Sequence, residues 1–324
     1  MRDHFQRRRV VIATAGFVAA VVAGALTASR LGAQAPATQP AVPQWQTAAG
    51  GRMAFEVSSV KRNTAALDTS PPSSNVTLIQ QGAHDNFTPA GGLFSVRNTP
   101  LIFYLVFAYK LTAYQQQSAS SQLPKWAIAD RFDIQARAAG NPSEDQLRLM
   151  MQTMLADRFK LAIHFEDRQL PAYAFVLSRA GKLGPQLQRH SDDPPCAAPS
   201  AKVPGGASSP AICDRFIGEM QPSGQLHMSA RDETMANIAD FSLVMGKLDR
   251  PVLDQTGLSG VFDFSIDFTP VLNGPPPSGA TSQTDNSGPT FLEALRDQLG
   301  LKLESTIGPV EVLVIDHVEA PSPN

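Results

Sequence analysis

The chain has 324 residues, room for two domains of ordinary size, and 43% of them are hydrophobic, enough for packed cores. Its 27 basic and 29 acidic residues give a formal charge of −2. That excludes a general nucleic-acid binder, which needs a basic surface to displace counterions.

Arg2, Arg7, Arg8 and Arg9 precede an uncharged run from Val10 to Ala28. A basic segment followed by an apolar one is the pattern of an export signal. Ala33-Gln34-Ala35 and Leu26-Thr27-Ala28 offer two small-x-small cleavage sites. Left uncleaved, the same run is just long enough to act as a membrane anchor. Residues 1–35 are therefore read as a signal peptide or anchor, which places the rest of the chain in the periplasm or outside the cell. Without them the balance is 22 basic against 28 acidic residues, a charge of −6.

Residues 36–54, rich in Ala, Pro, Gln and Thr, read as a flexible linker. A first module is expected over 55–183. Phe55 to Val60 alternates as a strand. Asn63 to Ala90 reads as a long loop with one short strand at Val76–Ile79. Leu93 to Arg97 is a strand, with Thr99 as N-cap candidate and Pro100 suited to the first turn of the following helix. That helix, Leu101 to Lys110, is apolar on nearly all sides and should be buried. A Gln/Ser-rich loop follows, then a strand at Arg131 to Ala136. Ser143 with Gln146 makes a capping box. Leu147, Met150, Met151, Met154 and Leu155 then recur at helical spacing as a core-facing stripe. Lys160–Phe165 and Ala172–Leu177 flank Asp167 to Pro171 as a hairpin.

Residues 184–214 form a Pro/Gly-rich loop that holds both cysteines, Cys196 and Cys213. In an oxidising compartment these read as one disulfide tying off a surface loop. No His or second Cys pair stands at ligand spacing to support a metal site.

A second module, 215–320, repeats the plan. Met228-Ser229-Ala230-Arg231-Asp232 matches Phe94-Ser95-Val96-Arg97-Asn98, and Phe262-Asp263-Phe264 matches Phe132-Asp133-Ile134. Asp232 is expected to cap a helix whose inner face is Met235, Ile238, Phe241 or Ser242, and Met245. Thr290 with Glu293 makes another capping box, ahead of the stripe Phe291, Leu292, Leu295 and Leu299. Leu301 aligns with Leu161. Leu301–Glu304 and Val310–Ile315 close the module as a hairpin turning at Gly308-Pro309. The predicted fold is α+β: two tandem βαββαββ-like modules, each with two helices packed on small sheets.

Catalytic signals are weak. Asp254-Gln255-Thr256-Gly257 departs by one residue from an Asp-Thr-Gly protease motif and reads better as a capped turn. Gly257-Leu258-Ser259-Gly260 is not a nucleophile elbow. The six His show no metal-ligand spacing. No phosphate loop or dinucleotide fingerprint appears, so no cofactor is expected. Arg97 and Arg231 take equivalent places before the first helix of each module. They are candidate binding residues, but an ion pair or carbonyl contact fixing that corner is the favoured reading, because a position shared by two copies follows more simply from their shared fold.

Several stretches resemble a large uncharacterised family of exported proteins from soil bacteria. They are Phe55 to Lys61, Trp126 with Asp130 to Ile134, Met154 to Leu161, Arg250 to Gly260, and Gly308 to Val318. The chain departs mildly from that family at Val261 and at Phe107 to Lys110. The resemblance implies export and a shared fold but no reaction. Each module also resembles, more distantly, the short N-terminal domain of secretins and TonB-dependent transducers. Phe291 to Leu301 carries that likeness, which implies docking in the envelope and lends no catalytic residue. The reading that follows is an exported, non-enzymatic envelope adaptor or sensor with an envelope protein as partner. The alternatives are a hydrolase using Asp254, His164 or His317 between the modules, and a carrier of a small ligand.

Overall fold

The computed structural model describes residues 43–65, 71–76, 78, 91–191, 213, 216–271 and 288–321. The expected export segment, Cys196 and most of residues 66–90, 192–215 and 272–287 lie outside the described residues.

In chain order the first half contains α1 (Gln44–Ala48), β1 (Val57–Asn63), β2 (Ser73–Ser74), β3 (Leu93–Pro100), α2 (Leu101–Tyr109), α3 (Ala113–Gln122), α4 (Lys125–Ala129), β4 (Arg131–Arg137), α5 (Glu144–Phe159) and β5 (Ala162–Leu177). The second half contains β6 (Leu187–Arg189), β7 (Ile217–Met220), β8 (Leu226–Thr234), α6 (Met235–Met245), β9 (Val252–Asp254), β10 (Val261–Phe268), α7 (Phe291–Gln298) and β11 (Leu301–His317). The fold is α+β. Two four-stranded antiparallel sheets have orders β1-β4-β3-β2 and β6-β10-β8-β7. These are one topology written twice. A third sheet, β11-β5-β9, joins the halves.

The helices follow from local chemistry. Ser143 and Gln146 close a capping box on α5, and Thr290 and Glu293 close one on α7. The α5 stripe of Leu147, Met150, Met151, Met154 and Leu155 is buried throughout. So is most of α2, as its all-round hydrophobicity demands. On α7, Phe291, Leu295 and Leu299 are buried but Leu292 is 46% exposed, with Ala294 inward instead.

Several local expectations are corrected. Thr99 does not cap α2; its hydroxyl donates to Arg97 O (2.9 Å) and Pro100 stands at the N-cap. Thr234, not Asp232, caps α6 by accepting the Asn237 N–H (3.1 Å). The strand expected at 76–79 falls at Ser73–Ser74, with Thr77 and Ile79 outside the described residues. The Gln/Ser-rich segment is the helix α3, opened by a capping box between Thr112 and Gln115.

Neither expected hairpin forms. β5 and β11 each run straight through their prolines and pair antiparallel over their full length, Leu301 opposite Leu177 and Ile315 opposite Ile163. The ladder tolerates both prolines because of parity. Tyr173 N–H donates to Pro251 O (2.8 Å), and Phe175 O accepts from Gln255 N–H (3.0 Å). Odd-numbered positions of β5 therefore turn their backbone groups away from β11. Pro171 occupies such a position and Pro309 faces one, Gln169, so the pairing needs no N–H from either.

This long ribbon exchanges strands between two cores. Ile163, Phe165, Leu313 and Ile315 pack into or against the core of the first half, with Phe94, Phe107 and Phe159. Phe175, Leu177, Leu301 and Leu303 serve the core of the second half, with Ile238, Phe264 and Leu295. Leu161 and Leu301 are 140 positions apart, as are Gln169 and Pro309, which face each other in the ribbon. The halves thus meet about a local pseudo-twofold.

Candidate functional site

The repeated Ser-x-Arg-(Asn/Asp) motif builds the same corner in both sheets. Arg97 and Asn98 together oppose Asp133, and Arg231 and Asp232 together oppose Asp263, one extra residue in each case. These are β-bulges. Asn98 (φ 50°) and Asp232 (φ 62°) are left-handed, a conformation that Asn and Asp tolerate better than other side chains. The aspartate opposite each bulge accepts its N–H: Asp133 from Asn98 (2.8 Å), Asp263 from Asp232 (3.0 Å).

The surroundings then diverge. In the first half Asn63, at the end of β1, donates its amide to Asp133 (2.9 Å). In the second half His190, just past β6, takes that place, with Nδ1 2.6 Å from Asp263. Arg231 Nε lies 3.6 Å from Asp263, and its Nη2 donates to Ser191 O (3.1 Å). The Arg231 side chain is only 7% exposed. Arg97, its counterpart, is exposed, and the two stand on separate sheets. One potential ligand atom from each of His190, Cys213 and Asp232 lies within 4.8 Å of the others. Cys213 is not a free thiol, however, so this set lacks the thiolate that would make it a metal site. The cluster sets Cys213 beside the second sheet. Cys196 lies outside the described residues.

The other sequence candidates do not converge. Asp254 accepts from Thr256 N–H (3.0 Å) and Oγ1 (2.7 Å), and Gly257 has φ +68°, a capped turn as expected. His164 pairs with Asp316 (2.9 Å) and His317 with Glu319 (2.8 Å), both exposed.

What does converge is a groove that sequence reasoning missed. Ala113, Gln116, Gln117 and Ser120 make one face of α3, and Asn237, Asp240, Phe241 and Val244 make one face of α6. The spacing i, i+3, i+4, i+7 is that of a helical stripe. The stripes line a groove of about 780 Å³ whose remaining walls are mostly apolar, among them Phe216, Met228, Met245 and Leu248. Phe216 and Phe241 stack at 4.5 Å and 3°. Val244 is 51% exposed. Phe241 was an alternative to Ser242 for the inner face of α6; Ser242 is fully buried, and Phe241 lines the groove.

Asp240 is the acid of this groove. Both its oxygens accept from the Ala113 N–H (2.9 and 3.0 Å), which holds the start of α3 against α6. Burial pushes its pKa up, and the Ala113 hydrogen bond offsets part of that. Asp240 also lines a second cavity of about 470 Å³, shared with Asp254 and Glu311. Glu311 accepts from Gln115 Nε2 (3.0 Å). Elsewhere burial drives the Tyr109 hydroxyl up to about 12, and the Tyr104 hydroxyl, which donates to Phe132 O, further still.

Fold and site define a class: an internally duplicated α+β protein with an apolar, one-acid groove where its halves meet. The family model described as "Protein of unknown function (DUF3738)" matches residues 103–318, and the chain belongs to that family. Neither the curated proteins nor the solved structures yield a match.

Proposed function

We propose that the protein is an exported, non-enzymatic binding protein of the cell envelope, an adaptor or sensor, whose binding site is the α3–α6 groove. One observation carries this reading. The groove exposes apolar surface where the halves meet, while the groups suited to chemistry are scattered. Asp254 is spent in a turn, His164 and His317 sit in exposed ion pairs, and neither cavity gathers two of the three. Exposed apolar surface of this kind marks interaction sites. Export is supported by the basic-then-apolar N-terminus. It is also supported by the resemblance to exported proteins of soil bacteria and, more distantly, to the envelope-docking domain of secretins. In this reading Cys196 and Cys213 form a disulfide after export, and Arg97 is the exposed member of the arginine pair, open to a partner.

Photo-crosslinking in intact cells tests the proposal, with the reactive side chain placed at Val244 in the groove or at Ile307 on the ribbon. A discrete adduct from Val244 and none from Ile307 is the expected result. Adducts from both positions alike, or a chain confined to the cytoplasmic fraction, would overturn it.

A further inference from the structure

We infer that the α3–α6 groove takes an organic cation with an apolar body, its ammonium group seated against Asp240. This deepens the binding reading and rests on it. The apolar body follows from the walls: Phe216, Met228, Phe241, Met245 and Leu248 line a space of about 780 Å³, the volume of a pocket for a small organic molecule. The cation follows from the charges. Asp240 lies at the junction of the groove and the cavity behind it. Its carboxylate is held by one backbone N–H, and no basic side chain among the described residues forms an ion pair with it. Lys247, the one basic residue of the groove lining, donates its ammonium to Val271 O at 2.6 Å.

The helix start at Ala113 supplies a partial positive charge of about one half. That is less than the full negative charge it faces. The cavity behind adds Asp254 and Glu311, and no Lys or Arg lines it. Three carboxylates, Asp240, Asp254 and Glu311, outweigh the one Lys247 ammonium and the helix start, so the field reaching the groove floor is negative, and low-dielectric walls focus it. The stacked pair Phe216–Phe241 beside Asp240 adds aromatic surface that also favours a cation. Burial pushes the Asp240 pKa up, so cation binding should weaken as pH falls and Asp240 takes up a proton.

Isothermal titration of the full chain with 4-phenylbutylamine, 4-phenylbutanol and 4-phenylbutyrate tests the inference. The amine should bind about tenfold more tightly than the alcohol, a margin appropriate to one charge-assisted contact, and the carboxylate should not bind. Asp240→Asn keeps an acceptor for Ala113 and should bring the amine down to the affinity of the alcohol, with a retained cooperative thermal transition as the folding control. Should that variant fail to fold, the unsubstituted chain still decides, because lowering the pH until Asp240 is protonated should remove its preference for the amine, which stays charged. Equal binding of amine and alcohol overturns the cation and leaves the groove as a binding site. Silence from all three probes with crosslinking at Val244 intact also overturns the cation alone. Loss of both signals overturns the groove itself.

Discussion

Asp133 and Asp263 show how one structural duty is met with different chemistry. Each accepts the N–H of a left-handed bulge residue. Around Asp133 the partners are the neutral side chain of Asn63 and the buried Asn98; around Asp263 they are His190, Arg231 and Asp232. Asp133→Ala leaves the Asn98 N–H and the Asn63 amide without their acceptor and should cost about 1–3 kcal/mol in denaturant unfolding. Arg231→Ala should cost about 1.5–3 kcal/mol, because it removes a charged hydrogen bond to Ser191 O and the cation beside the enclosed Asp263, which keeps His190 and the Asp232 N–H. Arg97→Ala, at the exposed counterpart, should stay within about 0.5 kcal/mol. Equal losses from the two arginines would contradict this assignment. The motif itself was legible in the sequence. Its cause, a residue with positive φ at a bulge, was not, and neither was His190, which reaches Asp263 across 73 positions from a segment read as loop.

Asp240 also gives stability a pH dependence with a definite sign. Its folded pKa is raised by burial. The folded chain therefore binds the proton more readily than the unfolded chain. The resulting stabilisation is full below the ordinary carboxylate value and is lost as pH rises through the raised one. Asp240→Asn should flatten the melting temperature across that acidic window relative to the parent chain. An unchanged slope would remove Asp240 as its source.

Among the elements, α3 explains why some of the fold escaped sequence reading. Its Gln and Ser residues present no apolar stripe, so hydrophobic periodicity gave no helix. The signal present was the capping box Thr112-x-x-Gln115. The glutamines act as the missing strand beside β11. Gln115 Nε2 donates to Glu311 O (3.3 Å), Gln122 Nε2 donates to Leu313 O (2.9 Å), and Gln122 Oε1 accepts from Ile315 N–H (3.0 Å). Covering an edge in this way removes a template for aggregation. Gln122→Ala should cost about 1–2 kcal/mol, since it frees two backbone groups, and should raise light scattering on heating. A variant as soluble and stable as the parent would mean that the edge needs no cover. The two hairpins were misread for a related reason. Pro171 and Pro309 are turn signals locally. However, apolar residues of one parity continue past each of them, from Ile163 and Phe165 to Phe175 and Leu177, and from Leu301 and Leu303 to Leu313 and Ile315. Continuous parity across a proline is the pattern of one long strand whose proline points away from its partner.

At the scale of the molecule, strand exchange ties the stability of each half to the other. The order of elements and the duplication were legible because capping boxes and core stripes are local. Which strand closes which core was not, because β5 and β11 carry the same apolar pattern at both ends and suit either. Leu313 belongs to the last strand of the second half yet is fully buried in the first core. Leu295, also buried, lies in the second core. Both Trp of the chain, Trp45 and Trp126, are in the first half. Trp fluorescence therefore reports unfolding of the first half alone, while far-UV circular dichroism reports the whole. Leu295→Ala should destabilise by about 2–5 kcal/mol as a buried cavity. If the ribbon couples the cores, the fluorescence and dichroism midpoints will move together, even though the substitution lies in the half without Trp. A fluorescence transition that stays put while the dichroism shifts would show two independently folding halves. In that case the groove between α3 and α6 would join separable units, and ligand binding there would be free to change their mutual arrangement. Coincident shifts would instead make the groove a preformed site on a single cooperative unit.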